Sequence, residues 1–282
     1  SIGQILQEAG HTVIALKPKD VKPYAKSRQK NDINDAIAIC KAALDPTLKR
    51  VSLKTKEEQI ISHLHKSRAN IICQRIQRSN SIMNSLQEFG VVVSCGKSKF
   101  AKECKEYVLK AYEEEAIDET VYTDLMQDCD EICHLLERER SLDKLITEKN
   151  KQSPKAQILL TIPGIGPINA SILSHKPMAS YEDSKDFAAS LGLVPRQHTT
   201  GGKVSLGGIS KQGDRYARTM LIQAGRSVVM RSCKANPPKD ALYSFINRLK
   251  EKEKTFNVIC VAVANKLARI AHACVMQNKE YC

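Results

Sequence analysis

The sequence contains no tryptophan, and only 5% of its 282 residues are aromatic. A protein that binds nucleic acid mainly by stacking bases needs more aromatic rings, so contacts to a phosphate backbone are the expected alternative. No apolar run is long enough to span a bilayer, and no signal peptide opens the chain. We therefore expect a cytoplasmic protein without a membrane partner.

The ten cysteines lack the spacing of a metal site, since no CxxC pair occurs. Cys129, Cys133 and His134 come closest to a ligand set, but the two cysteines are also one helical turn apart on an apolar face. A structural zinc site needs four ligands. We interpret most of the cysteines as reduced, buried thiols.

Positive charge is abundant: 44 lysines and arginines exceed 31 acidic residues, for a net charge of +13. Such an excess predicts a polyanionic partner, and nucleic acid is the leading candidate.

Glycines, hydroxyls and cations are concentrated in residues 191–218. Glycines free the backbone for unusual conformations, and the hydroxyls are potential donors or nucleophiles. This composition predicts a loop that meets phosphate, with a plain glycine-rich connector as the alternative. The residues of interest are Gly201, Gly202, Gly207, Gly208 and Gly213, then Thr199, Thr200, Ser205 and Ser210, then Arg196, Lys203, Lys211, Arg215 and Arg218.

The N-terminal segment has the pattern of an α/β unit, with a short helix followed by a strand at Thr12–Leu16. That strand has no preceding strand to pair with, so we expect an earlier part of a larger domain. Asp32 and Asp35 then lie on one face at the start of a helix. The pair is suited to a hard divalent cation, although acidic residues also favour any first helical turn.

Two long helical patterns follow, one from Glu57 to Phe89 and one that includes Leu125 and Ile146. They predict an antiparallel hairpin or coiled-coil arm, with residues 91–100 as its tip. The basic stripe on the first helix is also compatible with a solvated face.

Residues 159–173, LLTIPGIGPINASIL, predict a helix, a tight turn and a second helix. This is the helix-hairpin-helix pattern, in which amides of the turn face a DNA phosphate and Gly164 and Gly166 permit close approach. A plain helical turn is the alternative. Residues 241–276 predict two further helices, with an apolar segment central to the core.

With these residues in view, the chain resembles the DEDD-type transposases of bacterial insertion sequences, a family that includes the bridge-RNA-guided recombinases. The resemblance covers nearly the whole chain. Its landmarks are VKPYAKSRQKNDINDA, TIPGIGPINASIL and the segment from DFAASLGLVPRQ to LIQAGRSVV.

The resemblance implies a mainly α fold with a partial α/β N-terminus. Residues 1–50 correspond to the end of an RNase H-like (RuvC-like) domain, residues 51–153 to the coiled-coil arm, and residues 154–282 to a helical transposase domain with the helix-hairpin-helix.

The family also implies roles for individual residues. Asp32 and Asp35 match the third and fourth of its four acids and would hold Mg²⁺, whereas the first two acids would lie before Ser1. Thr200 stands where the family often has a nucleophilic serine, with Thr199 and Ser205 as alternatives. The expected DNA contacts are Gly164, Gly166, Arg196, Lys203, Lys211, Arg215 and Arg218.

The implied activity is cutting and rejoining of DNA by transesterification. Expected partners are DNA and further copies of the chain, with a guide RNA as an additional candidate. The competing hypothesis is a non-catalytic nucleic-acid-binding remnant of a decayed transposase. A purely structural assembly protein explains neither the glycine-rich segment nor the charge.

Overall fold

A computed structural model describes residues 2–25, 31–48, 50–234, 238 and 240–281, and the side chains of Lys203 and Val204 lie outside that description. The chain divides into two compact units, residues 1–60 and 61–282. Helices predominate, with one two-stranded sheet, which confirms the mainly α expectation. The RNase H-like fold and the boundaries near residues 50 and 153 stay predictions.

The described part of the first unit includes the α-helices α1 (Ile2–Glu8), α2 (Pro18–Val21) and α3 (Asp32–Leu44), with a 3-10 helix at Lys22–Tyr24. Helix α3 begins where the sequence predicts, and the side chain of Asn31 caps it by accepting a hydrogen bond from the Asn34 amide. The prediction of a strand at Thr12–Leu16 is wrong. Among the residues that the structure describes, this segment forms an isolated antiparallel bridge instead, in which the Val51 amide donates to the Ala15 carbonyl at 2.8 Å.

The first unit buries little apolar surface. Among its described residues, the fully buried hydrophobic side chains are Ala38 and Ala42. Large apolar side chains are exposed on α1, on α3 and between them: Ile2, Ile5, Leu6, Ile14, Ile33, Ile37, Ile39 and Leu44.

The arm of the second unit is built from α4 (Lys56–Glu88), α5 (Lys97–Glu113) and α6 (Glu119–Lys151). The two long helices are confirmed. The segment expected to be only a tip instead leads into α5, whose buried Phe100 and Val108 pack in one cluster with Leu86 and Ile132. The arm therefore has a three-helix core near its end.

The remaining elements are α7 (Pro154–Leu160), α8 (Pro167–Ser174), α9 (Ser184–Ser190), β1 (Pro195–Thr200), β2 (Lys203–Ile209), α10 (Arg215–Arg231), α11 (Ala241–Glu251) and α12 (Phe256–Gln277). Helices α10 and α12 cross closely at Gly225, where an added Cβ would lie 2.5 Å from the Cys260 carbonyl oxygen. The helices of this region share one continuous core.

Helix α12 is long and apolar enough to cross a membrane by length and composition, contrary to the expectation that no apolar run has this property. A core helix meets the same criterion. The buried residues of α12, among them Val263 and Leu267, belong to the shared core.

The nine described cysteines are free thiols. Cys104, Cys129 and Cys260 are buried, whereas others, including Cys40 and Cys73, are exposed. The prediction that most cysteines are buried is therefore wrong: of the exposed ones, Cys40 lies on α3, Cys73 on the helix that begins at Lys56, and Cys233 just after the helix that ends at Arg231.

Candidate functional site

The glycine-rich segment forms a β-hairpin rather than the predicted loop. Strands β1 and β2 pair antiparallel and are joined by Gly201 and Gly202, with φ angles of +57° and +77°. A two-residue turn with two positive φ angles matches the twist of the flanking strands, and Gly-Gly provides it without strain. The Gly-Gly dipeptide between hydroxyl-rich segments was the sequence signal for this hairpin.

The register of the hairpin sorts its hydroxyls onto two faces. Thr200 pairs with Lys203, and His198 pairs with Ser205. Because side chains alternate along a strand and paired residues share a face, Thr200, His198 and Ser205 lie on one face and Thr199 lies on the other. The Thr199 hydroxyl accepts a hydrogen bond from Gln197 Nε2 at 2.9 Å. Every residue of β1 is exposed.

A β-bulge interrupts the hairpin near its base. Pro195 pairs with Ile209 and Gln197 pairs with Leu206, so two glycines, Gly207 and Gly208, oppose Arg196 alone.

Two short segments, residues 190–194 and 210–218, form a collar beneath the hairpin. Their close contact depends on Gly192 and Gly213, with φ angles of +70° and +73°. A Cβ on Gly213 would lie 1.9 Å from the Ser190 carbonyl oxygen, and one on Gly192 would lie 2.4 Å from the Gln212 carbonyl oxygen. The Ser210 amide also donates to the Val194 carbonyl at 2.8 Å.

Arg218, expected at DNA, lies inside the collar and is only 8% exposed. Its Nη1 donates to the carbonyls of Leu191 at 3.1 Å and Gln212 at 2.8 Å. This geometry gives Arg218 a role in holding the two collar segments together. The exposed cations are Arg196, Lys211 and Arg215, while the side chain of Lys203 is outside the described part of the chain.

Asp214 fixes the start of α10 next to the collar. Its carboxylate accepts from the amides of Tyr216 and Ala217 and forms an ion pair with Lys176 at 2.5 Å. The Tyr216 hydroxyl accepts a hydrogen bond from Arg68 on α4 at 3.4 Å, and Arg68 Nε donates to Asp143 on α6 at 2.5 Å. These contacts connect the arm to the base of the hairpin.

A buried histidine lies in the same polar network. His65 Nε2 is 3.0 Å from the Ser171 hydroxyl, and its ring packs against Tyr216. Burial, followed by the nearby charge of Arg68, lowers the pKa of His65 to about 4. This network is not predicted from the sequence, although His65 and Arg68 lie one turn apart beside the apolar stripe of α4.

The turn between α7 and α8 uses its glycines differently. Gly164 has φ +84°, and an added Cβ would lie 2.4 Å from the Val228 side chain on α10. Gly166, the N-cap of α8, has open space around it. Packing against α10 therefore accounts for Gly164, and a phosphate contact at Gly166 stays a prediction.

Asp32 and Asp35 are exposed, one turn apart at the start of α3. Within the described residues, no group of three or more His, Cys, Asp or Glu is arranged to hold a metal, and this applies also to Cys129, Cys133 and His134. The carboxylate oxygens of Asp32 and Asp35 are the ligand type that Mg²⁺ prefers, and Mg²⁺ is usually bound through one or two carboxylates together with substrate phosphates and waters.

Comparison with known proteins gives two family matches. The family described as "Transposase IS116/IS110/IS902 family" matches residues 156–243, and a DEDD transposase family named for IS110 matches residues 2–91. The first match includes the hairpin, the collar and the α7–α8 turn, and the second includes Asp32 and Asp35.

Individual relatives agree with these matches. A probable family 20 transposase of Pseudomonas aeruginosa is 37% identical over 279 residues, which cover 98% of this chain and 80% of the relative. The transposase for insertion sequence element IS1328 of Yersinia enterocolitica is 36% identical, over 97% of this chain and 79% of the relative. A pilin gene-inverting protein of Moraxella bovis is 30% identical over 57% of this chain and 48% of its own length.

Proposed function

Because the chain belongs to the IS116/IS110/IS902 family of insertion-sequence transposases, we propose that it cuts and rejoins DNA by transesterification with the Thr200 hydroxyl as nucleophile. Transposases act on DNA and in general cut and rejoin it. Inversion of a DNA segment also requires both cutting and rejoining, so the name of the Moraxella relative supports strand exchange.

The hairpin register carries the choice of Thr200. This hydroxyl lies at the exposed end of β1, directly before the Gly201–Gly202 turn, where a DNA backbone meets little obstruction. His198, two residues away on the same face, supplies an imidazole that is suited to accept the proton of the hydroxyl. Thr199 is less suitable because it lies on the opposite face and is hydrogen-bonded to Gln197.

The chemistry consists of two balanced exchanges at phosphorus. The Thr200 Oγ1 attacks the phosphorus of a DNA phosphodiester and loses its proton to a base, for which we propose His198. A threonyl phosphodiester forms, the bond from phosphorus to one deoxyribose oxygen breaks, and that oxygen takes up a proton. A hydroxyl of the second DNA strand then attacks the same phosphorus and gives up its proton. The bond from phosphorus to Thr200 Oγ1 breaks, that oxygen takes up a proton, and the strands are joined.

Exposed cations stabilise the substrate and the charge that develops on the phosphate. Arg196, Lys211 and Arg215 lie on or beside the hairpin and offer guanidinium and ammonium donors. Arg218 does not contact the phosphate in this proposal. Its hydrogen bonds to two carbonyls hold the two collar segments together beneath the strands.

The family uses a divalent metal, and we assign it as Mg²⁺ held by Asp32 and Asp35. Both residues offer hard carboxylate oxygens, the ligand type that Mg²⁺ prefers. When bound, this ion polarises phosphate oxygens and stabilises negative charge. A guide RNA and homo-oligomerisation stay predictions from the family resemblance.

Covalent capture on DNA tests the nucleophile. The substrate is a DNA duplex with the sequence of one end of the insertion sequence, nicked beside the cleavage site. Cleavage then releases a short strand that diffuses away, so the reverse reaction is prevented and the protein–DNA bond persists. We expect capture by the wild type and by the matched control Thr199→Ala, reduced capture by Thr200→Ser, and no capture by Thr200→Ala. Capture by Thr200→Ala at the wild-type level would overturn the assignment.

Failure of every variant, including the wild type, to form the covalent complex while all of them bind the duplex would favour the non-catalytic alternative. Mass spectrometry of the captured peptide identifies the modified hydroxyl directly, which separates Thr200 from Ser205.

A further inference from the structure

An apolar groove lies beside the base of the hairpin, between the strands and helices α11 and α12. Its volume is about 590 Å³, which is within the usual range for small-ligand sites. Phe245, Val258 and Val261 form the apolar walls, Gly207 and Gly208 line the strand side, and Asn257 adds an exposed amide.

The two glycines are not required by the fold of the hairpin itself. Neither has a positive φ angle. An added Cβ on Gly208 would meet nothing within 4 Å, and one on Gly207 would lie 3.8 Å from the Arg196 carbonyl oxygen, an ordinary contact. Glycine in a strand often marks a bulge, as it does here, or a place where a ligand approaches the backbone. Between Pro195 and Leu206, the two glycines leave part of the strand side of the groove without side chains.

The charge beside the groove favours a ligand that carries an anionic group. The Lys266 ammonium lies 4.9 Å from the centre of the Phe245 ring, which lines the groove. The Arg226 guanidinium lies 5.5 Å from the centre of the ring of Phe256, the residue before Asn257. The N-terminus of the 22-residue α12, which has no side-chain cap, ends at the groove beside Asn257 and adds a partial positive charge. Among the residues that the structure describes, none of those lining the groove is acidic.

We propose that this groove receives one unstacked nucleobase of the DNA strand that the hairpin binds. Apolar walls suit the faces of a base, the Asn257 amide suits a base edge, and the surrounding cations suit the attached phosphates. This inference rests on the proposed function, because the hairpin is the feature that brings DNA to the groove.

The groove is also near the proposed reaction centre. Arg196, opposite the two glycines, is four residues from Thr200 along β1. At about 3.3 Å per residue, the separation along the strand is roughly 13 Å. The bound base would therefore belong to a nucleotide close to the phosphate that reacts, where distortion of the duplex exposes that phosphate.

Binding of three duplexes of one fixed sequence tests the proposal. The first carries a single unpaired 2-aminopurine, the second has an abasic residue at that position, and the third is fully paired. The variant Gly208→Leu fills the groove without backbone strain, because the space around Gly208 is open. Gly96→Leu, at an equally open glycine at the start of α5, is the matched control.

We expect the wild type and Gly96→Leu to bind the 2-aminopurine duplex about tenfold more tightly than the abasic duplex, in line with one base contact. The fluorescence of 2-aminopurine should also change on binding. Gly208→Leu should lose the tenfold preference but still bind the paired duplex.

Equal affinity of the wild type for the 2-aminopurine and abasic duplexes would overturn the nucleobase site. If the wild type still bound the paired duplex in that case, the proposed function would be unaffected. A change of oligomeric state in Gly208→Leu, with the base preference retained, would instead identify the groove as an interface between copies and would also overturn the proposal. Absence of binding to all three duplexes would contradict both.

Discussion

The tip and the collar of the hairpin use the same residue type for different purposes. Gly201 and Gly202 at the tip have positive φ angles and open space around them. Gly192 and Gly213 in the collar have similar φ angles, but each has backbone atoms where a Cβ would lie. The tip glycines set a turn that presents Thr200, and the collar glycines allow close packing. The turn that carries the proposed nucleophile and the collar that supports it are therefore separated within 28 residues.

The largest expected effect is on the collar. Gly213→Ala should lower the free energy of unfolding by roughly 2–5 kcal/mol, since the clash with Ser190 adds to the strain of a positive φ angle. The matched substitution Gly202→Ala meets only the strain and should cost about 1–2 kcal/mol. Urea unfolding of both variants measures the difference. Equal losses would mean that the collar is not closely packed in solution.

The cations provide a second comparison, between a buried and an exposed arginine. Arg218→Met should lower the free energy of unfolding by about 2–4 kcal/mol, because two carbonyls lose a charged donor. Arg215→Met, three residues away and exposed, should change it by less than about 0.5 kcal/mol. Thermal or urea unfolding distinguishes the two. A neutral Arg218→Met would indicate that this side chain is free to reach DNA.

The sequence predicted those parts of the fold that depend on local pattern. Apolar periodicity gave the long helices α4 and α6, and the acidic first turn gave the start of α3. Helix α5 was missed because its apolar stripe is narrow and its surface is dense in lysine and glutamate, as loops often are.

Features that depend on contacts distant in sequence were not predictable in this way. In the sequence, nothing distinguishes Arg218 from the other cations of its basic segment. Its supporting role depends on the carbonyls of residues 191 and 212, which accept its hydrogen bonds only in the folded chain. The network of His65, Arg68 and Tyr216 likewise joins helices α4 and α10, which are more than 140 residues apart. Carbonyls and hydroxyls occur throughout any sequence, so such partners carry no local signal.

The pH dependence of stability tests whether the network beneath the collar is as buried as the geometry indicates. The folded protein disfavours protonation of His65, whose pKa is about 4, whereas the unfolded chain binds that proton near pH 6.5. The contribution of His65 is therefore fully present above pH 6.5 and is lost as the pH falls towards 4. The loss amounts to at most about 3 kcal/mol.

Carboxylates also titrate between pH 6.5 and 4 and change the unfolding free energy. The contribution of His65 is therefore measured as the difference in pH dependence between the wild type and a variant. His65→Gln should flatten the decline in unfolding free energy between pH 6.5 and 4. His63→Gln, at an exposed position on the same helix, should leave the decline unchanged. Parallel curves for wild type and His65→Gln would show that the ring is hydrated.

Substitution of the exposed cations should have the smallest effect on stability among these variants. It should instead change DNA binding. Lys211→Gln and Arg215→Met remove solvent-exposed charges, so the unfolding free energy should change by less than about 0.5 kcal/mol. If each cation contacts a phosphate, each substitution should lower the slope of log affinity against log salt concentration by about 1. Titration of one duplex at several salt concentrations measures both slopes. An unchanged slope in both variants would mean that the phosphate backbone does not pass over this side of the hairpin, so that Arg196 on β1 and Lys203 on β2 would have to position the DNA.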